Sequence, residues 1–286
     1  MEGWYDINKK DNTTGAVYDN MCYVASAVNL ITWWQNGEYG KKLTSSAPKE
    51  LNQIWDTYVN AAASVDPEMW QEGGETLSAV NWWISGVYYP DTTKADELAR
   101  YYEDSDVLGP ESELLLTLPL ASGYYYDDYG LTQQDLGNFL QSNVWVYGDA
   151  FELDFAEMLE NGTGITLNIE SEGNPDSGHA ITLWGASYED GELKSIWLTD
   201  SDDFGVSTEP GPRLFEVEVE LVEGENGEIE KILFAKGYYA EGYHITSVHA
   251  MDAKASANWR LVPEPATATL SLLALAALAA RRCRAS

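Results

Sequence analysis

The chain is organised around the segment Asp19-Asn20-Met21-Cys22-Tyr23-Val24-Ala25-Ser26-Ala27-Val28-Asn29-Leu30-Ile31-Thr32-Trp33-Trp34. Asp19 and Asn20 lead into it, and both residue types are favourable N-caps of a helix. Apolar residues then recur at three- and four-residue spacing, which predicts one apolar helical face: Val24, Ala27, Val28 and Ile31. Cys22 therefore falls in the first helical turn, where unpaired N–H groups and the positive end of the helix dipole favour a thiolate.

Cys22 has two interpretations at this point. A lone cysteine is more often a small buried apolar residue than a nucleophile. The sequence has one other cysteine, Cys283 near the C-terminus, so it contains no disulfide framework. The residues that favour a nucleophilic Cys22 lie far downstream.

His179, one of three histidines, lies in a predicted β-hairpin. Residues 177–185 have the pattern of a strand, and a second strand at residues 193–198 runs directly into Asp200. The turn-like sequence between them predicts that the two strands pair. His179 at the start of the first strand and Asp200 after the second would then be neighbours.

A thiol at a helix N-terminus, an imidazole and a carboxylate together predict nucleophilic catalysis. In this hypothesis the thiolate of Cys22 attacks a carbonyl, His179 takes and returns the proton, and Asp200 fixes the tautomer and orientation of the imidazole. Each residue alone is a weak signal, whereas the ordered set is specific.

Four blocks of the sequence resemble the IdeS/Mac family of immunoglobulin-degrading cysteine endopeptidases. The blocks come in the family's order: residues 3–9 (Gly-Trp-Tyr-Asp-Ile-Asn-Lys), the helix from Cys22 to the Trp pair at its end, residues 179–186, and residues 198–202. The resemblance implies a papain-like fold, with Cys22 as nucleophile and His179 as general base and acid.

The resemblance also implies roles for four further groups. Asp200 would orient His179, and Asp202 would be a supporting carboxylate. Lys9 would form the oxyanion site together with the backbone N–H of Cys22, since a charged donor aimed at a developing oxyanion stabilises it strongly. An ordinary solvated lysine is the alternative interpretation of Lys9.

The composition excludes several classes of partner. The formal net charge is −31 over 286 residues, with 16 scattered Lys and Arg. Nucleic acids and anionic membrane surfaces are therefore not expected as partners, because phosphate contacts need clustered basic residues.

His244 and His249 lie five residues apart in one predicted strand and so on opposite faces, which argues against a shared metal site. Neither a metal nor another cofactor is expected.

Helices come first in the chain and an antiparallel sheet follows, which predicts an α+β protein. Strands begin after residue 164, and the strongest hairpin signal joins residues 213–222 to 228–238. The segments that favour helices are 49–63, 75–84, 132–140 and 149–160, and those that favour further strands are 243–251 and 258–262. A papain-like peptidase domain is expected over residues 1–262.

Residues 263–286 form a separate segment. Pro263-Glu264-Pro265 precedes an apolar run of Ala, Leu, Ser and Thr that ends in an Arg cluster, and this arrangement resembles a PEP-CTERM sorting signal. The resemblance implies export, transient anchoring in the membrane through this segment alone, and processing by an exosortase-type enzyme. The chain begins inside a matching block, so either its start is truncated or a leader has been replaced by an initiator Met. We expect truncation, because a C-terminal anchor requires export.

The sequence thus predicts a secreted or cell-surface cysteine endopeptidase whose substrate is a protein, with immunoglobulin or another host protein as the candidate. One alternative is a related acyl-transfer or isopeptidase enzyme, which would use the same three residues and differ in the acceptor. The other is a non-catalytic surface binding module derived from a protease.

Overall fold

The structure is a computed structural model, and the residues it describes are 3–10, 15–65, 74–88, 116–117, 123–143, 154–171, 174–202, 212–224, 229–237 and 242–262. The predicted sorting segment, residues 263–286, lies outside them. No helix within the described ranges is both long enough and apolar enough to cross a membrane.

Six α-helices lie in the described part of the chain, five of them in its first half, as predicted. They are α1 (Cys22–Asn36), α2 (Leu51–Val65), α3 (Thr76–Ser85), α4 (Tyr126–Tyr129), α5 (Gln133–Phe139) and α6 (Phe155–Glu160). α5 begins with a capping box: the Thr132 hydroxyl accepts from the Asp135 N–H, and the Asp135 carboxylate accepts from the Thr132 N–H. The apolar pattern of α1 is explained by burial on nearly all sides.

Nine described strands form two sheets. They are β1 (Val87–Tyr88), β2 (Leu116–Thr117), β3 (Leu140–Asn143), β4 (Thr163–Ser171), β5 (Asn174–Glu189), β6 (Glu192–Thr199), β7 (Phe215–Glu223), β8 (Ile229–Lys236) and β9 (Tyr243–Asp252). β1 and β2 pair with each other, and the other seven pair in the order β3-β9-β4-β5-β6-β7-β8. Both predicted hairpins, β5–β6 and β7–β8, are confirmed.

The larger sheet closes on itself, and this contradicts the papain-like fold expected from the sequence. β9 pairs along its length with β4 and also meets β8 through Leu233 and His244, so six antiparallel strands complete a ring. A closed six-stranded barrel with several helices is not the papain-like helix-plus-sheet arrangement. The physical reason for the error is that alternating apolar residues identify a strand and its buried face, but not which strand edges meet.

The barrel separates two apolar cores. One fills the space inside the strands with alternate residues such as Ile165, Leu167, Ile181 and Leu183. The other lies between the barrel and the helices and is built on α1, α2 and α3. α1 contacts both β4 and β5, so this helix lies against two paired strands of the barrel.

Candidate active site

Five predicted site residues come together where α1, β5 and the end of β6 meet. Cys22 is the first residue of α1, His179 lies on β5, and Asp200 directly follows β6. Lys9 and Asp202 close the group, because the backbone N–H of Lys9 donates to the carbonyl of Ser201 at 3.3 Å. The structure therefore places the five residues that the sequence predicted for the site next to one another.

The imidazole of His179 is held by a buried carboxylate. Its Nε2 lies 2.6 Å from Oδ1 of Asp200, and Asp200 has no exposed surface. The same Oδ1 accepts the backbone N–H of Asp202 at 2.8 Å, so the carboxylate is fixed on the protein side as well. The hairpin register brings this contact about, since Thr182 on β5 pairs with Thr199 on β6.

The pKa of His179 lies well above its ordinary value. Burial of the ring would lower this pKa, but the charge and hydrogen bond of Asp200 raise it, and contact with Cys22 raises it further. The imidazolium form is therefore stabilised at neutral pH. Because Nε2 is engaged by Asp200, Nδ1 is the nitrogen left to exchange a proton with the thiol.

Cys22 is half-buried, and the pKa of its thiol is lowered. Burial would raise this pKa, but the hydrogen bond and charge of His179 lower it, with further contributions from the backbone N–H of Ala180 and the charge of Lys9. Both shifts favour transfer of the thiol proton to the imidazole, which gives a thiolate beside an imidazolium. The arrangement can therefore supply a nucleophile and a proton donor at the same time.

Lys9 is not the solvated lysine that was the alternative interpretation, because only 5% of it is exposed. Its Nζ lies 2.8 Å from Oδ1 of Asp202 and also donates to the backbone carbonyl of Asp19. The second oxygen of Asp202 lies 3.8 Å from Nδ1 of His179. Asp202 thus lies between the Lys9 ammonium and the imidazole, at hydrogen-bonding distance from the first only.

The carboxylates and the imidazole also have the composition of a metal site. Within the described ranges, the ligand atoms of His179, Asp200 and Asp202 lie within 4.8 Å of one another. The 2.6 Å contact between Nε2 and Oδ1, however, is a direct hydrogen bond. A Lys9 ammonium 2.8 Å from Asp202 also opposes a second cation. The geometry favours proton transfer over metal binding.

Sequence reasoning missed one buried polar side chain close to the site. Asn29 of α1 is 2% exposed, and its amide contacts the N-terminal segment, β5 and β6. A detectable signal was present: a lone Asn within an apolar helical pattern, seven residues and thus two turns after Cys22, shares the face of the candidate nucleophile.

Two small aromatic cavities lie at the opposite end of α1. Their volumes are about 110 and 180 Å³, and Trp33 lines both. None of the five site residues lines either cavity. Trp33 is eleven residues from Cys22 along the helix, or about 16 Å.

The chain is similar in sequence to a protein that is named as a protease. No protein-family model matches the chain. Over 223 residues it is 26% identical to a protein named IgM protease from Streptococcus suis (strain P1/7). The match covers 71% of this chain but 18% of the relative, so the chain spans less than a fifth of the length of that protein.

Proposed function

We propose that the chain is a cysteine endopeptidase that cleaves peptide bonds through a thiol acyl-enzyme. The observation that carries the proposal is the continuous contact from Cys22 through His179 to the buried Asp200, with the thiol pKa lowered and the imidazole pKa raised. The likeness to a protein named IgM protease supports a protease function in general.

Acylation of the enzyme begins with attack of the Cys22 thiolate on the carbonyl carbon of the scissile bond. A C–S bond forms, and the carbonyl π electrons move to the oxygen. When the tetrahedral intermediate collapses, the C–N bond breaks and His179 donates its proton to the leaving nitrogen. The amine product leaves, and the acyl group remains on the sulfur.

Hydrolysis then returns the enzyme to its starting state. His179, now neutral, removes a proton from water while the water oxygen attacks the thioester carbonyl. The C–S bond breaks, and the thiolate of Cys22 leaves beside the reprotonated imidazolium. Asp200 stabilises that imidazolium in both half-reactions and keeps Nδ1 directed at the sulfur.

We assign the oxyanion site to the backbone N–H of Cys22 and to Lys9. The helix N-terminus offers N–H groups that have no partner inside the helix. An ammonium has three N–H donors, and the described partners of Lys9, namely Asp202 and the Asp19 carbonyl, use two of them. One donor therefore remains for a developing oxyanion.

The substrate we propose is a protein of the immunoglobulin class, by analogy with the name of the relative. We further propose that residues 1–262 form the enzyme and that residues 263–286 form an export and sorting segment that an exosortase-type enzyme removes. Expression behind an added secretory signal peptide, in a bacterium with an exosortase, should yield a chain shortened near residue 263. An uncut, cytoplasmic chain there would contradict the sorting proposal.

The test of the catalytic proposal is cleavage of IgM, IgG and casein by the wild-type protein and by Cys22→Ala, with Cys283→Ser as the matched control. We expect fragments from the wild-type and Cys283→Ser proteins, and none from Cys22→Ala of unchanged circular dichroism. Cleavage by a clean Cys22→Ala preparation would remove Cys22 from the mechanism. A new isopeptide bond to a protein amine, in place of a free carboxylic acid, would favour the acyl-transfer alternative.

A further inference from the structure

We propose that Asn29 is the positioning residue of this site: its buried amide fixes the helix that carries Cys22 against the strands that carry His179 and Asp200. This inference rests on the proposed function. It goes beyond that function because the Asn29 side chain touches none of the reacting groups.

The amide of Asn29 makes three contacts inside the protein. Its Oδ1 accepts the backbone N–H of Ile7 at 3.0 Å. Its Nδ2 donates to the hydroxyl oxygens of Thr182 at 3.2 Å and Thr199 at 3.4 Å. Asn29 and both threonines are almost completely buried, so water does not compete for these hydrogen bonds.

Each of these contacts lies close in sequence to a different site residue. Ile7 precedes Lys9 by two positions, Thr182 follows His179 by three on β5, and Thr199 directly precedes Asp200. Asn29 itself lies two helical turns from Cys22 on the same face of α1. One side chain therefore connects all four chain segments on which the site is built.

The hydroxyl of Thr199 extends the network. It donates to the backbone carbonyl of Tyr5 at 3.0 Å and accepts from the indole Nε1 of Trp184 at 2.9 Å. A buried polar network of this kind favours one arrangement of the elements it joins, because any slip would leave buried donors without partners. The neighbouring apolar residues of α1 impose no such directional requirement.

The consequence for chemistry follows from the short contacts in the site. The hydrogen bond between His179 and Asp200 lies within one hairpin, but the contact of Cys22 with His179 spans α1 and β5. That contact is the one that depends on how α1 sits against the hairpin. Loss of the Asn29 amide should therefore weaken the thiolate–imidazolium pair while leaving the hairpin intact.

Gln35 provides a matched control on the same helix. It too is fully buried, and its Oε1 accepts from Trp83 Nε1 at 3.2 Å and from the Tyr125 hydroxyl at 2.6 Å. The segments that contain Trp83 and Tyr125 hold none of the five site residues. Gln35→Ala therefore removes a comparable buried amide network at the opposite end of α1.

The experiment compares full-length wild type, Asn29→Ala, Thr182→Val and Gln35→Ala in two assays: kcat/KM for cleavage of IgM, and the pH dependence of Cys22 alkylation by iodoacetamide, located by peptide mass spectrometry. We expect roughly a ten- to hundredfold loss of kcat/KM in Asn29→Ala. The midpoint of alkylation should rise by about one pH unit. Thr182→Val is the milder variant, for use if Asn29→Ala does not fold. It should change kcat/KM and the alkylation midpoint in the same directions.

Gln35→Ala should lower the melting temperature as much as Asn29→Ala but change neither the alkylation midpoint nor kcat/KM. Equal effects of the two variants, or none from Asn29→Ala and Thr182→Val, would overturn the positioning role alone. A wild-type Cys22 that alkylates like a free thiol would instead overturn the proposed function, and this inference with it.

Discussion

Nε2 of His179 lies 2.6 Å from Oδ1 of Asp200, a carboxylate with no exposed surface at the end of β6. A buried carboxylate is costly unless it is paired and hydrogen-bonded. Asp200 meets this condition through the imidazole and through the backbone N–H of Asp202. The pairing raises the pKa of His179, and the imidazolium in turn lowers the pKa of Cys22.

Asp200→Asn should abolish most activity, because the amide keeps the shape but removes the charge that raises the pKa of His179. We expect kcat/KM to fall by roughly 100- to 10,000-fold. Asp202→Asn is the control, since Asp202 lies 3.8 Å from Nδ1 and is partly exposed. It should lose no more than about tenfold. A larger loss in Asp202→Asn than in Asp200→Asn would exchange the roles of the two carboxylates.

Lys9→Met should lower kcat while leaving the fold in place. The variant loses the charge that contributes to the lowered pKa of Cys22 and one proposed oxyanion donor, so we expect a loss of roughly 100-fold. Lys10, the exposed neighbour, offers the control Lys10→Met, which should behave like wild type. Equal activity of Lys9→Met and wild type, measured by steady-state kinetics, would remove Lys9 from the mechanism.

The pH dependence of kcat/KM should be a broad bell. The rate rises as pH increases through the lowered pKa of Cys22, and it falls as pH increases through the raised pKa of His179. Asp200→Asn lowers the pKa of His179, so its alkaline limb should move to lower pH. An alkaline limb that does not move would show that a group other than His179 governs it.

His249 should make the protein less stable in mild acid. It is buried on β9, with Nε2 3.1 Å from the Glu75 carboxylate, and burial lowers its pKa despite the opposing charge of Glu75. Below its unfolded pKa of about 6.5 the unfolded chain binds the proton more readily, so stability falls with falling pH until the folded pKa is reached.

The slope from this one group is at most about 1.4 kcal/mol per pH unit. Urea unfolding at pH 7.0 and 5.5 should therefore show a smaller difference in free energy of unfolding for His249→Gln than for wild type. An unchanged difference would assign the acid sensitivity to other groups.

The local parts of the site could be predicted from sequence because they depend on short-range patterns. The N-terminus of α1 follows from apolar periodicity, and the proximity of His179 and Asp200 follows from one hairpin. The strand expected over residues 258–262 is wrong, because Trp259 packs among the helices and does not join a sheet. Residues 253–258 form a 3₁₀ turn, and the following Trp259 is buried, with its ring centroid 5.7 Å from that of Trp34.

The remaining features depend on long-range contacts that no local pattern specifies. Closure of the barrel requires β8 and β9 to meet at Leu233 and His244. The burial of Lys9 and the contacts of Asn29 with Thr182 and Thr199 likewise join segments far apart in the chain. The sequence shows that these residues are polar, but it does not show that the fold buries them.

The most direct test of the central claim is the rate of Cys22 alkylation by iodoacetamide as a function of pH, in wild type and in His179→Ala, with Cys22 distinguished from Cys283 by peptide mass spectrometry. A primed thiolate–imidazolium pair predicts fast wild-type alkylation well below pH 7. It also predicts that His179→Ala reacts with a midpoint near the free-thiol value of about 8.5. Slow alkylation that rises only near pH 8.5 in both proteins would contradict the account.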